Sequence, residues 1–429
     1  MLQKFIALQQ SQQKRINFLL NYLFVIYAFT LPMAFDTEKL ILKLIFILFL
    51  FSGNLKEKLF FTLQNRIFQA MLLFLSLYAI WMLGSEHKEL AWQKIKMLSS
   101  YIFLFPIFIT SIQEEFKEKI LNSFILAIFL SELISYTMMF GIHFSFLKYT
   151  GYGNNVPFFY TYSQYVLLII LSLGLVLYKL LTHETKSKVQ IILYSLFFIT
   201  STINIFMLDS KLGYGLYLLT IFIVVLFISR KKLSIIKIFG LFNAVIIVYL
   251  VVFNFNHAFQ NQIKKITSNI DLAYSQHTFN GPTGKRLAWN YYGFQVYKEN
   301  NPLFGVGTFD HIALTIEKIK PTIPKKYDKN HNLLEFDNKM MPVMATLHNE
   351  YLDHLVQFGP VGLLVLFYLF FTIYKAPTTS PSLKLLKYLL LINIILYSFV
   401  NYFFILTQLA KIFFFLIALT IPTFKAKES

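Results

Sequence analysis

The sequence predicts an all-α integral membrane protein of about twelve spans, with one large outward loop between spans nine and ten that holds short helices of its own. Three observations carry this. Of the 429 residues, 56% are hydrophobic and only 14% charged, and the mean hydropathy is +0.58, the composition of a polytopic membrane chain. Apolar runs recur at roughly 17–25 residues, the length that crosses a bilayer. The stretch 255–354 then interrupts the pattern with about a hundred largely polar residues, too many for a passive connection.

The candidate spans run over 17–34, 38–53, 67–84, 97–112, 120–141, 162–181, 189–207, 212–229, 235–254, 355–374, 383–400 and 402–422. The chain therefore divides into spans one to nine (1–254), a loop subdomain (255–354) and spans ten to twelve with a short tail (355–429). Met1 to Asn17 is polar and Gln-rich, and the apolar run after it lacks a small-residue cleavage pattern, so it reads as a retained first span. With the N-terminus inside, inward segments collect Lys14, Arg15, Lys56, Lys58, Arg66, Lys117, Lys119, Lys375, Lys384 and Lys387, and outward short segments hold fewer cations. Both termini then lie in the cytoplasm.

The net charge of +18 and pI of about 9.6 would suggest nucleic acid in a soluble protein. Here the cations sit at helix ends and no nucleic-acid-binding signature accompanies them, so that partner is excluded. Cysteine is absent, which excludes disulfides, Cys-ligated zinc and iron–sulfur clusters.

Within the loop, GPTGKRLAWNYYGFQVYKENNPLFGVG predicts a helix N-capped by Thr283 and running to about Asn300. Leu287, Tyr291, Phe294 and Tyr297 recur at helical spacing and predict its apolar face. Lys285 and Arg286 fall in the first turn, where cations oppose the helix dipole. An anion at that N-terminus would gain from both side chains and from the free amides. Asn301-Pro302 ends the helix, and NPLFGVG is a turn. Residues 316–341 read as irregular. LHNEYLDHLVQF is a second helix with His348 at its start, broken or kinked at Gly359-Pro360 before the tenth span.

Each polar feature has a structural and a chemical reading. Arg286 is a loop arginine paired to a carboxylate, or a phosphate ligand. His348 is a packed histidine, or a general base for a sugar hydroxyl. Asp209-Ser210-Lys211 anchors a span end, or aims a lysine at a diphosphate. Glu132, Lys43 and Lys411 lie inside spans, where ionisable groups are costly and often functional. Glu350, Asp353 and His354 near His348 invite a metal, but His348 and His354 are six residues apart, roughly 240° round a helix, and HExxH is absent. No metal or other cofactor is expected. The aromatic, amide-rich stretch from Tyr149 to Tyr165 is an interfacial belt or a sugar-stacking surface.

GKRLAWN with NPLFGVG shortly after, then HNEYLDHLVQFGPVGLL, in a chain of many spans with a large loop before the last few, resembles the O-antigen ligase and polymerase superfamily. The resemblance is best from about Ser210 to Leu366. It implies a membrane glycosyltransferase that works without a metal ion and moves a glycan from an undecaprenyl-diphosphate carrier to an acceptor on the periplasmic side of the inner membrane. In the ligase branch the acceptor is a lipid A-core sugar of lipopolysaccharide. The family's loop arginine falls on Arg286 and its histidine on His348. A third basic position, usually arginine, falls on Lys211 in DSKLGYG; lysine keeps the charge but loses the bidentate fork. Lys285 is a further candidate for the donor diphosphate. Asn349, Glu350, Trp289 and Asp209 stand as supporting residues. An O-antigen polymerase or a protein O-oligosaccharyltransferase shares the chemistry. A lipid-linked glycan flippase or transporter shares only the span count, and the midplane site and internal repeats expected of a transporter are not visible.

Overall fold

The computed structural model describes residues 2–33, 37–142, 144, 156–158, 161–184, 187–208, 210–229, 257–276, 281–319 and 346–424, together with isolated positions between 236 and 279. Every regular element among them is helical. In chain order these are α1 (Leu2–Thr30), α2 (Thr37–Phe51), α3 (Leu55–Gln64), α4 (Arg66–Met82), α5 (Lys88–Ile102), α6 (Phe105–Ser111), α7 (Glu114–Met139), α8 (Tyr162–Leu181), α9 (Lys188–Met207) and α10 (Lys211–Ser229). They continue as α11 (His257–Gln276), α12 (Gly281–Glu299), α13 (Asp310–Ile319), α14 (Glu350–Lys375), α15 (Pro381–Tyr397) and α16 (Thr407–Thr420).

Among the described residues, seven helical stretches are long and apolar enough to cross a membrane: Ser11–Met33, Lys88–Ser111, Glu114–Met139, Tyr162–Leu181, Lys188–Met207, Lys211–Ser229 and Glu350–Lys375. An eighth is gained if α3 and α4, bent by 73° at Asn65, count as one span. The expected twelve are therefore met in kind, an all-helical membrane bundle, and not in number. Three of the expected spans appear as shorter helices: α2 has 15 residues, α15 has 17 and α16 has 14. The fourth begins at Lys88 rather than 97 and is interrupted at 103–104. The ninth, 235–254, and the irregular segment expected over 316–341 fall largely outside the described residues, as does most of 149–160.

α8 and α16 form the inside of the bundle. From Leu409 to Thr420, α16 is buried on all sides save Lys411, packed against α5, α6 and α15. Gly174 lets α8 approach both α10 and α15; a methyl there would stand 2.7 Å from Thr220 and 2.9 Å from Leu389. Close approach at small residues is how helices associate without help from water. Glu132, on α7, is fully buried and accepts a hydrogen bond of 2.9 Å from Ser201 on α9, so it joins two helices. Lys411 pairs with Glu38 at 3.4 Å across α16 and α2, and Lys43 is exposed.

Helices α11, α12 and α13 sit at one end of this bundle, here called the loop end. α12 packs on α11, α13 and α14. Its buried face is Ala288, Trp289, Gly293 and Val296, joined to Ile312, Ile316, Leu347 and Val356. This corrects the expected stripe: Tyr291 and Phe294 are exposed, 44% and 41%. Small residues decide the face, because only Gly293 admits Leu347, whose side chain would lie 2.5 Å from a methyl at that position. Helix α12 also starts two residues before the expected Thr283 cap.

Candidate functional site

Two glycine motifs far apart in sequence lock together and set the site. In α14 the backbone at Gly359 is left-handed, φ +64°, and Pro360 has no amide hydrogen, so the helical bond to Val356 is lost. The NPLFGVG turn supplies the missing donors. Val306 N donates to Val356 O at 3.0 Å and Gly307 N to Gln357 O at 3.1 Å. The fit leaves no room for side chains at the two crossing points. A methyl on Gly359 would lie 2.2 Å from Leu303 O, and one on Gly305 would lie 2.5 Å from the Gln357 carbonyl. Asn301 closes the turn by accepting from Leu303 N and Phe304 N. Asp310 then pins it to the turn before α5, accepting from Glu86 N at 2.9 Å, His87 N at 3.0 Å and the His87 ring at 2.9 Å.

Above this lock lies His348. It precedes the helix rather than starting it: Asn349 is the N-cap of α14, accepting from Tyr351 N and Leu352 N, both at 3.1 Å. His348 itself has φ +56°, a conformation that costs a non-glycine residue energy and is held only where its surroundings fix it. They do. Asp353 accepts from Leu347 N at 2.9 Å and from His311 Nε2 at 2.8 Å. Glu350, 1% exposed, accepts from Phe403 N at 2.6 Å, and Glu350 N donates to Ser398 O. The segment 398–406 is thereby drawn over the His348 ring. Tyr402 lies 5.6 Å from it, centroid to centroid, and Asn401 hydrogen-bonds to the imidazole in the sense that favours a ring N–H donor. Nδ1 is buried and has no hydrogen-bond partner among the described residues. Burial, and next the positive charge of Arg286, hold the His348 pKa below the usual histidine value.

Arg286 reaches this site through α12. Asn290, one turn further on, donates to Leu347 O at 3.1 Å and accepts from the Asn349 side chain at 3.0 Å. That clasp fixes the first turns of α12 against the His348 loop, and the Arg286 charge acts on both His348 and Tyr397. Lys211, at the start of α10, donates to Thr283 Oγ1 at 3.3 Å, so it joins the same turn from the bundle side. Lys285 and Arg286 are exposed. The structure thus gathers Lys211, Lys285, Arg286, His348, Asn349 and Glu350 at one end. Trp289 is 5% exposed and packs beneath them. Asp209 lies outside the described residues.

The sequence reading missed Asn290, Asn401 and Tyr402. Asn290 carried a signal, since four residues after Arg286 places it on the same helix face. Asn401 and Tyr402 carried none: two apolar runs almost abut there, and the non-helical 398–406 between α15 and α16 was read as helix. Glu350, Asp353 and His354 are spent on internal bonds, with His354 on Tyr78 at 3.3 Å and on Glu350 O at 2.7 Å. The described residues hold no group of three or more His, Asp or Glu arranged to bind a metal ion. A neutral imidazole with one unpartnered nitrogen beside a guanidinium and an ammonium can accept a proton while the cations receive an anionic leaving group.

No curated protein matches the chain. Residues 196–367, the part that holds Lys211, Arg286 and His348, match the family model described as O-antigen ligase, a match consistent with the O-antigen ligase/polymerase superfamily.

Proposed function

We propose that this protein is an O-antigen ligase: an inverting, metal-independent glycosyltransferase that moves a glycan from undecaprenyl diphosphate to a lipid A-core sugar. The observation that carries the reading is the Asn290 clasp, which holds the Arg286 turn against a histidine whose buried Nδ1 has no hydrogen-bond partner among the described residues. The family match over 196–367 supplies the substrate class.

In the proposed step the acceptor hydroxyl attacks the anomeric carbon. His348 Nδ1 takes the hydroxyl proton as the new C–O bond forms. The bond from the anomeric carbon to the carrier phosphate breaks, and undecaprenyl diphosphate leaves with the bonding pair. Its growing charge faces Arg286 and Lys211, with Lys285 beside them; fixed cations aimed at developing charge lower a barrier more than they bind substrate. His348 returns its proton to water. Attack opposite the leaving group inverts the anomeric centre. The loop end is periplasmic in this reading, because the opposite end is the basic one.

A gel of lipopolysaccharide from a deletion strain tests the reading against its neighbours. A ligase predicts loss of all long chains with accumulation of carrier-linked glycan. A single repeat left on the core would instead make the protein a polymerase. Unaltered lipopolysaccharide would turn the reading toward protein glycosylation.

A further inference from the structure

We propose that a cavity at the end of the bundle opposite His348 binds the headgroup of an anionic phospholipid, of the phosphatidylglycerol class, from the adjacent leaflet. The 73° bend between α3 and α4 leaves a notch against the last turn of α14 and the residues after α16. The cavity holds about 610 Å³ and is lined by Phe61, Arg66, Tyr368, Phe371, Lys375 and Pro422 among others, with no acidic residue among the described lining. That volume suits a headgroup and the start of its chains.

The electrostatics favour an anion. α14 and the segment after α16 turn their C-terminal carbonyls toward this notch, and such ends repel negative charge. The carbonyls are already covered: Lys387 Nζ donates to Tyr374 O at 2.9 Å and also to Ala376 O, and Lys117 Nζ donates to Ile421 O at 2.6 Å. α4 meanwhile presents its positive end, capped by Asn65. Arg66 and Lys375 are exposed at the rim. Lys56, Lys58, Lys119 and Lys384 share this end of the molecule, which the positive-inside rule assigns to the cytoplasmic leaflet, the one facing cytosolic polybasic segments with anionic lipid.

A path for the acyl chain leads away from the cavity. Phe371, Phe367 and Leu364 follow one another at helical spacing along α14 toward the middle of the bundle and are 55%, 51% and 67% exposed. The site therefore joins a cationic rim to an apolar stripe, which a free phosphate ion would leave unused.

The test is native mass spectrometry of the full chain in detergent, titrated with phosphatidylglycerol or with phosphatidylcholine of the same chains. The expected result is an approximately tenfold preference for phosphatidylglycerol, abolished in Arg66→Gln/Lys375→Gln and kept in the charge-preserving Arg66→Lys/Lys375→Arg. Each single Gln variant should lose part of the preference, so the readout survives if the double variant folds poorly. Equal retention of both lipids, or an undiminished preference in both single variants, would overturn the proposal. Displacement of the lipid by excess inorganic phosphate would overturn it as well, since the site would then be a phosphate site.

Discussion

His348 combines a strained backbone, a buried nitrogen unpartnered among the described residues and a lowered pKa, and these have one source. The Asp353, Asn349 and Glu350 bonds hold the residue at φ +56° under the Asn401–Tyr402 segment. Burial and Arg286 then disfavour the imidazolium. With the pKa lowered, the ring is neutral at pH 7, and it gains its proton only as pH falls below the ordinary histidine midpoint of about 6.5. A base must be neutral to work, so the proposed mechanism predicts that kcat/KM falls on acidification with a midpoint below that value. Arg286→Gln should move the midpoint upward, because it removes a charge that opposes protonation. A kcat/KM that rises on acidification, or that falls with a midpoint above the ordinary histidine value, would contradict the base role. Arg286→Lys should lower donor turnover by about tenfold or more through loss of the bidentate fork, while membrane expression stays at the wild-type level; wild-type turnover would remove the bidentate claim. Arg286 was legible by type, since arginine is rare in this chain; His348 and Lys211 were legible only through the motifs that hold them. Their geometry was not, because Asn290 and Asn401 act through carbonyls and ring contacts that no spacing announces.

At the scale of elements, the lock between NPLFGVG and QFGPVG carries the site. Both motifs read in sequence as breaks, and each was. What the sequence did not say is that they break for each other: the turn donates to the carbonyls that the proline leaves open. The buried face of α12 was misread for a related reason. Periodicity favours large apolar residues, but the close approach to Leu347 goes through Gly293. The lock yields a stability prediction. Gly359→Ala puts a methyl 2.2 Å from Leu303 O at a left-handed backbone, a strain of about 1–3 kcal/mol before any displacement. The variant should melt several degrees lower and lose activity as the turn undocks. Gly215→Ala on α10 meets nothing within 4 Å and should do neither. Equal melting of both variants would show that the turn does not bear on the fold.

Taken whole, the molecule carries distinct sets of charged groups at its two ends. The loop end gathers the cations and the histidine, and the opposite end gathers most of the topological lysines. The all-helical membrane class was legible from composition and from the length of the apolar runs. The count of twelve is not fixed by the described residues: α16, with 14 residues, is short for a span, and most of 235–254 lies outside them. The orientation is open to labelling, since the chain has no cysteine of its own. A lone Lys285→Cys should react with an impermeant maleimide added from the periplasm, and a lone Lys375→Cys only after lysis; the reverse pattern would invert the topology. The central claim, transfer of a carrier-linked glycan with His348 as base, is met most directly by complementing the deletion strain with His348→Ala at wild-type membrane level. The prediction is lipopolysaccharide without long chains and accumulated carrier-linked glycan. Full restoration of long-chain lipopolysaccharide by that variant would contradict it.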